Sequence, residues 1–489
     1  MKIIRGALFA FGLWTACVVS AQKLTLTNAI KIAQENSYDA LMAKYSFMAS
    51  YWTYRSFKAQ LLPSVNLSGG LLNFDHSLVS VRNYDDGQVA YVNNNSLNNY
   101  ITLSVDQQIV ATGGTVSLLS YLYRLDQFDY DQTTYNSQPL RISYTQPLRA
   151  FNALKWEKKT APIEYQIAQK SYASSMQDVT IRVTSLFFSV LSAQSDYKQS
   201  VATLKDRVAL LEMAKKRLSL GTTTKGEVLQ LELSLLNARM AVNKNKLSLD
   251  DVMYNLFSYL RVSGYEEAEL VPPYTVPDVV LNVDEVIQKA ITNSSHTLEQ
   301  RQQMLEAEKS LAQAKSNKGL QMTLSGEVGL TQTAGTMAEA YRRPMDNEIV
   351  GLTLSLPIFD WGVSRGRVKM AQARLEVVRT QLEQAHLDYV QALRKKVLQF
   401  NLQPMQCRDA LRAQDIAEER YEIMRKRFET GSVSVTDLNT AQQEMESAKY
   451  QYISQLNTFW SDYYTLQKST LYDWIQKQDI YYEYEKLVR

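Results

Sequence analysis

The sequence predicts a mainly α chain with a membrane β-barrel part, built as two copies of one unit: helix, barrel strands, long helical hairpin. Three observations carry that expectation. Arg217 and Gly221 in KKRLSLGTTTKGEVLQLE recur as Arg427 and Gly431 in RKRFETGSVSVTDLNTAQ, and Pro147 in ISYTQPLRAF recurs as Pro357 in LTLSLPIFDW, all at an offset of 210 residues. Runs of period two precede both prolines. The 489 residues hold only 18 Gly and 10 Pro, which leaves long spans open to helix. Such a duplicated unit suits a stacked or ring-forming architecture better than a compact enzyme.

Residues 1–21 read as a secretory signal. Lys2 and Arg5 give the charged start, Ala7 to Val19 the apolar stretch, and Val19-Ser20-Ala21 a small-residue cleavage site before Gln22. The rival is a lipoprotein signal acylated at Cys17. Cleavage after Ala21 leaves Cys407 as the one mature cysteine, hence no intrachain disulfide in an exported chain. No later apolar run reaches the ~18 residues of a membrane-spanning helix, so a part that crosses a membrane must be β-stranded. With 53 Lys+Arg against 50 Asp+Glu, there is no basic footprint for nucleic acid. The 30 tyrosines are expected at membrane interfaces.

The first repeat is read over 22–270. Its opening helix starts near Leu24, with Thr27 or Asn28 as N-cap and Ala29, Ile30, Ala33, Ala40 and Leu41 at helical spacing. A linker over 271–281 follows the repeat, where Pro272, Pro273 and Pro277 forbid continuous helix. The second repeat, 282–470, opens with a twin of the first helix at an offset of 257, and 471–489 is a C-terminal tail.

The two offsets, 257 and 210, differ by 47, so the first repeat carries 47 extra residues before Pro147. Barrel strands are expected over about 320–357 in the second repeat, where Met322, Leu324, Gly326, Val328 and Leu330 share one face and Val350, Leu352, Leu354 and Leu356 another. Over about 63–147 the first repeat offers four runs, SVNLSGGLL, YITLSVDQQIV, TVSLLSYLYRL and LRISYTQPL. Their connections are read as long and polar (His76 to Asn98), short (Ala111 to Gly114), then long (Asp126 to Pro139), the alternation of outer-membrane barrels. The extra pair, Tyr100 to Leu125, is either part of the barrel, with its Gly113-Gly114 turn facing the periplasm, or a soluble hairpin beside it. Four to six strands cannot close a barrel, so several subunits must share one. Three subunits give twelve strands, or eighteen if the extra pair joins.

Long helices lead to tips at 221 and 431. Beyond each tip the apolar pattern steps by threes and fours: Val228, Leu231, Leu235, Ala238, Val242, Leu249, Val252, Leu256 and Tyr259, then Leu438, Ala441, Met445, Ala448, Tyr452, Phe459 and Leu466. A second stripe (Leu229, Leu233, Leu236, Met240, Leu247) lies beside the first. A hairpin needs one seam; two seams point to a ring of helices. After the tips, Thr224-Lys225-Gly226-Glu227 and Ser434-Val435-Thr436-Asp437 fit capping boxes. One reading of the arginines and of Asp437 is local, helix-dipole and capping chemistry. The other is that the two tips form a docking ring and gate.

RFETGSVSVTDLNTAQQEMESA, its weaker first copy, the opening helices ending in LLP, and LTLSLPIFDWG resemble the outer membrane efflux protein family of TolC-like channels, from about Leu24 to about Thr470. The resemblance implies a homotrimer in the cell outer membrane: a lipid-embedded β-barrel continuing into a periplasmic α-helical barrel. It implies a passive exit duct for small molecules or proteins that docks a periplasmic adaptor and an inner-membrane transporter. Carried onto this chain, the tips with Arg217, Gly221, Arg427 and Gly431 meet the adaptor, and Asp437 lines the periplasmic aperture. A second acid three residues on is replaced here by Thr440.

An enzyme is not expected: there is no P-loop, dinucleotide fingerprint, His-x-x-x-His or Cys-x-x-Cys, and neither cofactor nor metal is called for. His76, His296 and His386 are assigned to a loop and two separate helices. An exported periplasmic coiled-coil scaffold without transport would share the heptads and signal but not the strand runs.

Overall fold

The computed structural model describes residues 23–82, 87–263, 268–430 and 432–488. The proposed signal, Cys17 and Gly431 lie outside them.

The chain begins with β1 (Leu24–Thr25), α1 (Leu26–Asn36) and α2 (Tyr38–Gln60). Four long strands follow: β2 (Ser64–Arg82), β3 (Val89–Ile109), β4 (Gly114–Gln127) and β5 (Gln132–Arg149). Then come α3 (Ala153–Ser219), α4 (Lys225–Leu260), β6 (Leu270–Val271), α5 (Val283–Asn293) and α6 (His296–Lys318). The second strand set is β7 (Gln321–Ala334), a four-residue α7 (Met337–Ala340) and β8 (Met345–Ser355). The chain ends with α8 (Val363–Glu429), α9 (Val435–Thr470), β9 (Tyr472–Asp473), β10 (Gln478–Asp479) and α10 (Tyr484–Val488).

The repeat is carried to the residue. α1 and α5 are both 11 residues, α3 and α8 both 67, and α4 and α9 both 36. Even their terminators match: Arg261 and Leu471 close α4 and α9 in the left-handed region at φ 57° and 46°. Neither is glycine, so each carries local strain of about 1 kcal/mol or more. The N-cap of α1 is Thr25, whose hydroxyl accepts from Asn28 N–H, not Thr27 or Asn28 as the pattern suggested. A helix whose apolar residues begin at Leu26 must be capped before it, and Leu26, Ala29 and Ala33 are its buried face.

Two compact units emerge, one of residues 1–47, 170–294 and 388–489, the other of 48–169 and 295–387. The second unit holds a six-stranded antiparallel sheet of order β2-β3-β4-β5-β7-β8. The first-half hairpin at Tyr100–Leu125 is therefore inside this sheet, paired on both sides, and not beside it. Its turn closes through Gly113 at φ 77°, with Gly113 N–H donating to Ile109 O at 2.7 Å. The two connections expected to be long are short instead. β2 and β3 run on to Arg82 and from Val89, placing His76 in a strand opposite Asn95, and β4 reaches β5 through a single turn at Phe128–Tyr130. Polar side chains on both faces, as at the consecutive Asn93, Asn94 and Asn95 of β3, disguised these strand ends as loop.

The other unit is helical. Leu281 in the extended segment between β6 and α5 is buried, and Asn401 of α8 accepts its N–H and donates to its carbonyl, both at 2.9 Å. The tail packs back: Tyr482 and Tyr484 meet the Tyr172 ring, and Tyr484 meets Phe47. Many tyrosines thus fill helical core, as Tyr172, Tyr421, Tyr452 and Tyr463 do, or line the polar sheet face, as Tyr100, Tyr121 and Tyr123 do. They are not confined to an interface belt as composition suggested.

Candidate functional site: two hairpin tips on one core

The helical unit brings both tips onto one apolar core. Leu210, Leu211 and Ala214 of α3, Val228 and Leu231 of α4, Tyr421 and Phe428 of α8, and Val435, Leu438 and Met445 of α9 are buried together. The stripe read from sequence runs through this seam. On α9 its Leu438, Ala441, Met445, Tyr452, Phe459 and Leu466 are buried and Ala448 half-buried. On α4 Val228, Leu231, Ala238 and Leu256 are buried, while Leu235, Val242, Leu249, Val252 and Tyr259 are half-buried. The second stripe is the opposite case. Leu229, Leu233, Leu236, Met240 and Leu247 are 54–73% exposed in the isolated chain.

At the first tip, α3 ends in a Schellman turn. Thr222 N–H donates to Arg217 O at 3.0 Å and Gly221 N–H to Leu218 O at 3.1 Å, with Gly221 at φ 70°. No atom lies within 4 Å of a Cβ built on Gly221, so the demand for glycine is conformational and not steric. α4 restarts at Thr224, whose hydroxyl accepts from Glu227 N–H at 3.3 Å. The box is incomplete, because the Glu227 carboxylate accepts from the Thr223 hydroxyl and not from the N-cap N–H. Leu220 stands 77% exposed at the apex, just before Gly221 and three threonines.

At the second tip, Ser432 N–H donates to Arg427 O at 2.9 Å, the same long closure as Thr222 to Arg217. Here the capping box is complete: Ser434 Oγ accepts from Asp437 N–H at 3.1 Å, and Asp437 Oδ2 accepts from Ser434 N–H at 3.1 Å and Ser434 Oγ–H at 2.7 Å. Those bonds, the hydroxyl's first, hold the exposed Asp437 carboxyl below its usual range. Thr440, exposed, donates back to Thr436 O.

The arginines part company. Arg217 is half-buried and reaches across to the other hairpin, where Nη2 donates to Glu429 O at 2.6 Å and Nη1 to Phe428 O at 3.4 Å, capping the last carbonyls of α8. Arg427 is exposed. The local reading of Arg217 as a partner of a helix C-terminus is thus right in kind, but the helix is α8 and not its own.

Farther up the same core sits a polar cluster that the sequence reading missed. Tyr421 donates to Asp206 Oδ2 at 3.0 Å, Arg425 lies 4.0 Å from Asp206 Oδ1, and Arg207, 5% exposed, donates to Gln442 Oε1. Gln442 in turn donates to Thr203 Oγ1 at 2.7 Å and Glu446 Oε1 at 2.8 Å. Burial lowers the Arg207 guanidinium from its usual value and, with Asp206 beside it, raises the Tyr421 hydroxyl. The available signal was Asp206-Arg207 set inside the apolar run LKDRVALL. Among the described residues, no group of three or more His, Cys, Asp or Glu is placed to hold a metal.

The profile of the outer membrane efflux protein family matches residues 29–260 and 286–470. Outer membrane protein TolC of Escherichia coli K12 is 23% identical over 363 residues, 69% of this chain and 71% of that protein. Among solved structures, the Campylobacter jejuni CmeC outer membrane channel superposes with a TM-score of 0.66 at 13% identity, covering 94% of this chain and 88% of its own. The open-state Neisseria gonorrhoeae MtrE outer membrane channel gives 0.60 at 14%, covering 94% and 91%.

Proposed function

The chain belongs to the outer membrane efflux protein family, a family of channel proteins, and we propose that it is the outer-membrane exit duct of a tripartite efflux or secretion system. In this reading three copies share one barrel and one periplasmic helical extension. The duct is passive, and small molecules or proteins enter it from an inner-membrane transporter through a periplasmic adaptor. The observation that carries the reading is the second stripe on α4. Five apolar side chains, each more than half exposed along one helix face, form a patch that water disfavours and that a neighbouring copy of the chain would cover. The sheet supports the same reading against a soluble scaffold, since its outward rows are apolar and exposed: Val65, Leu67, Leu103, Leu118, Ile142, Val328 and Val350 are 40–80% exposed. Ile358, Phe359 and Trp361, 71–91% exposed just past β8, suit an anchor at the inner lipid interface.

Within that duct the tips carrying Arg217, Gly221, Arg427 and Gly431 are assigned to adaptor docking, with Leu220 added. Asp437 is assigned to the aperture, where three copies would bring like charges together and attract cations. Outer-membrane extraction followed by native mass measurement tests the assembly: a trimer is expected, and a soluble periplasmic monomer overturns the duct. Single-channel recording of Asp437→Ala tests the aperture. Altered cation preference is expected, and unchanged conductance leaves the carboxylate with capping alone.

A further inference from the structure

All six strands carry one two-faced pattern, and it does not change where the extra pair begins. Following the register across the sheet, Val65, Val105, Leu118, Ile142 and Val328 stand opposite one another in turn. A second row links Leu67 to Leu103, and a third Val116, Tyr144, Gly326 and Val350. The other face reads Ser64, Asp106, Ser117, Ser143 and Glu327, then Asn66, Ser104, Leu119 and Arg141. That face is internally bonded: Asp106 accepts from Ser104 at 2.9 Å and from Asn66 at 3.4 Å, and Arg141 lies 3.5 Å from Glu327. The pattern holds in the rows nearest the Gly113 turn; toward the other end of the sheet Ser120, Arg124 and Asp126 of β4 and Glu348 of β8 stand on the apolar-row face. A soluble side hairpin has no reason to keep an apolar row in register with wall strands on both sides; a hairpin whose one face meets lipid and the other water does.

Among the described residues the sheet has two free edges, the outer sides of β2 and β8. Free backbone N–H and C=O groups cannot be left in hydrocarbon, and six strands are too few to curl shut on themselves. We propose that β2 of one copy pairs with β8 of the next, so that three copies close an eighteen-stranded wall in which β3 and β4 are lipid-facing staves. This rests on the trimer proposed above. At a strand spacing of 4.8 Å and a tilt near 40°, eighteen strands enclose a backbone ring roughly 36 Å across. Twelve strands, with β3 and β4 left out, enclose roughly 24 Å. The extra 47 residues therefore widen the mouth of the duct and do not decorate it.

Two measurements on the full chain, extracted from outer membranes, test this. Asn66→Cys on β2 is combined in turn with Gly351→Cys, Thr353→Cys and Ser355→Cys on β8, and oxidised. A ladder of dimers and trimers on denaturing gels, collapsed by reductant, is expected for at least one register. In parallel, an environment-sensitive fluorophore is placed on Leu103→Cys and Leu118→Cys, with Ser104→Cys and Ser117→Cys as opposite-face controls, in bilayers containing brominated acyl chains. Several-fold stronger quenching at 103 and 118 is expected. A native trimer that gives no ladder with any pair, or equal quenching on both faces, overturns the eighteen-stranded wall and leaves the duct standing. A chain that is monomeric by native mass overturns the duct and the wall together.

Discussion

The two hairpin tips descend from one sequence unit and close by the same long backbone bond, yet they are held in different ways. The first tip is a donor: Arg217 leaves its own turn and caps Phe428 and Glu429 of the second hairpin. The second tip is self-contained, with Ser434 and Asp437 satisfying each other's backbone and Arg427 turned to solvent. The first apex shows water an apolar Leu220 where the second shows Thr430. The turn is thus the same in both copies while its ties differ: the first tip reaches across to the second hairpin, and the second is closed within itself.

The largest effect that bears on this difference is expected from the tip glycines. Gly221→Trp with Gly431→Trp should abolish export, read as cargo efflux from intact cells, while native mass still gives the trimer. Export at the parental rate would reduce both tips to architecture. Gly221→Ala separates strain from docking, because its Cβ meets open space. It should cost about 1 kcal/mol of local stability from the positive φ alone, seen as faster amide exchange at Thr222, with adaptor crosslinking retained.

The arginines give the sharpest contrast. Arg217→Ala should destabilise the end of α8 by about 1–2 kcal/mol, the low part of the range for charged donors because the group is half exposed. Arg427→Ala should stay within about 0.5 kcal/mol in folding and act, if at all, on adaptor crosslinking. Equal destabilisation by both, in hydrogen exchange at residues 428 and 429, would erase the distinction between the tips.

Smaller still is the difference between the caps. Ser434→Ala should cost about 1 kcal/mol and Thr224→Ala about 0.5 kcal/mol, since only the second tip has the reciprocal bond. The Asp437 carboxyl is depressed from its usual 3.8, so its capping contribution is present above that value and is lost as pH falls through the lower folded one. Protection of the first turn of α9, taken relative to the intrinsic exchange rate at each pH, should therefore be flat from neutral pH down to about 4 and fall below; a loss of protection beginning near pH 6 would contradict the assignment.

The least effect is expected at Cys407, 2% exposed and pushed up to about 11 by burial. As the thiolate is the reactive form, maleimide should label it far more slowly in the native protein than after denaturation. Comparable rates would show that the core opens, and would spoil cysteine comparisons of the two tips.

Sequence alone determined the repeat, the helix pairs of equal length and the turn positions, because those features are local. Glycine at a left-handed turn, Ser or Thr three residues before an acid, and apolar side chains stepping by threes and fours each specify structure within a few residues. It also distinguished two apolar stripes on α4, though not which one the chain itself would bury. Tertiary structure decided what depends on partners distant in sequence. It turned Arg217 toward carbonyls some 211 residues away, buried Arg207 against Gln442, and extended β2 through His76, where period two was hidden by small polar residues on both faces. It also set the extra hairpin between β2 and β5, because backbone pairing on both edges and a continuous apolar row are properties of the register, and no single strand carries them.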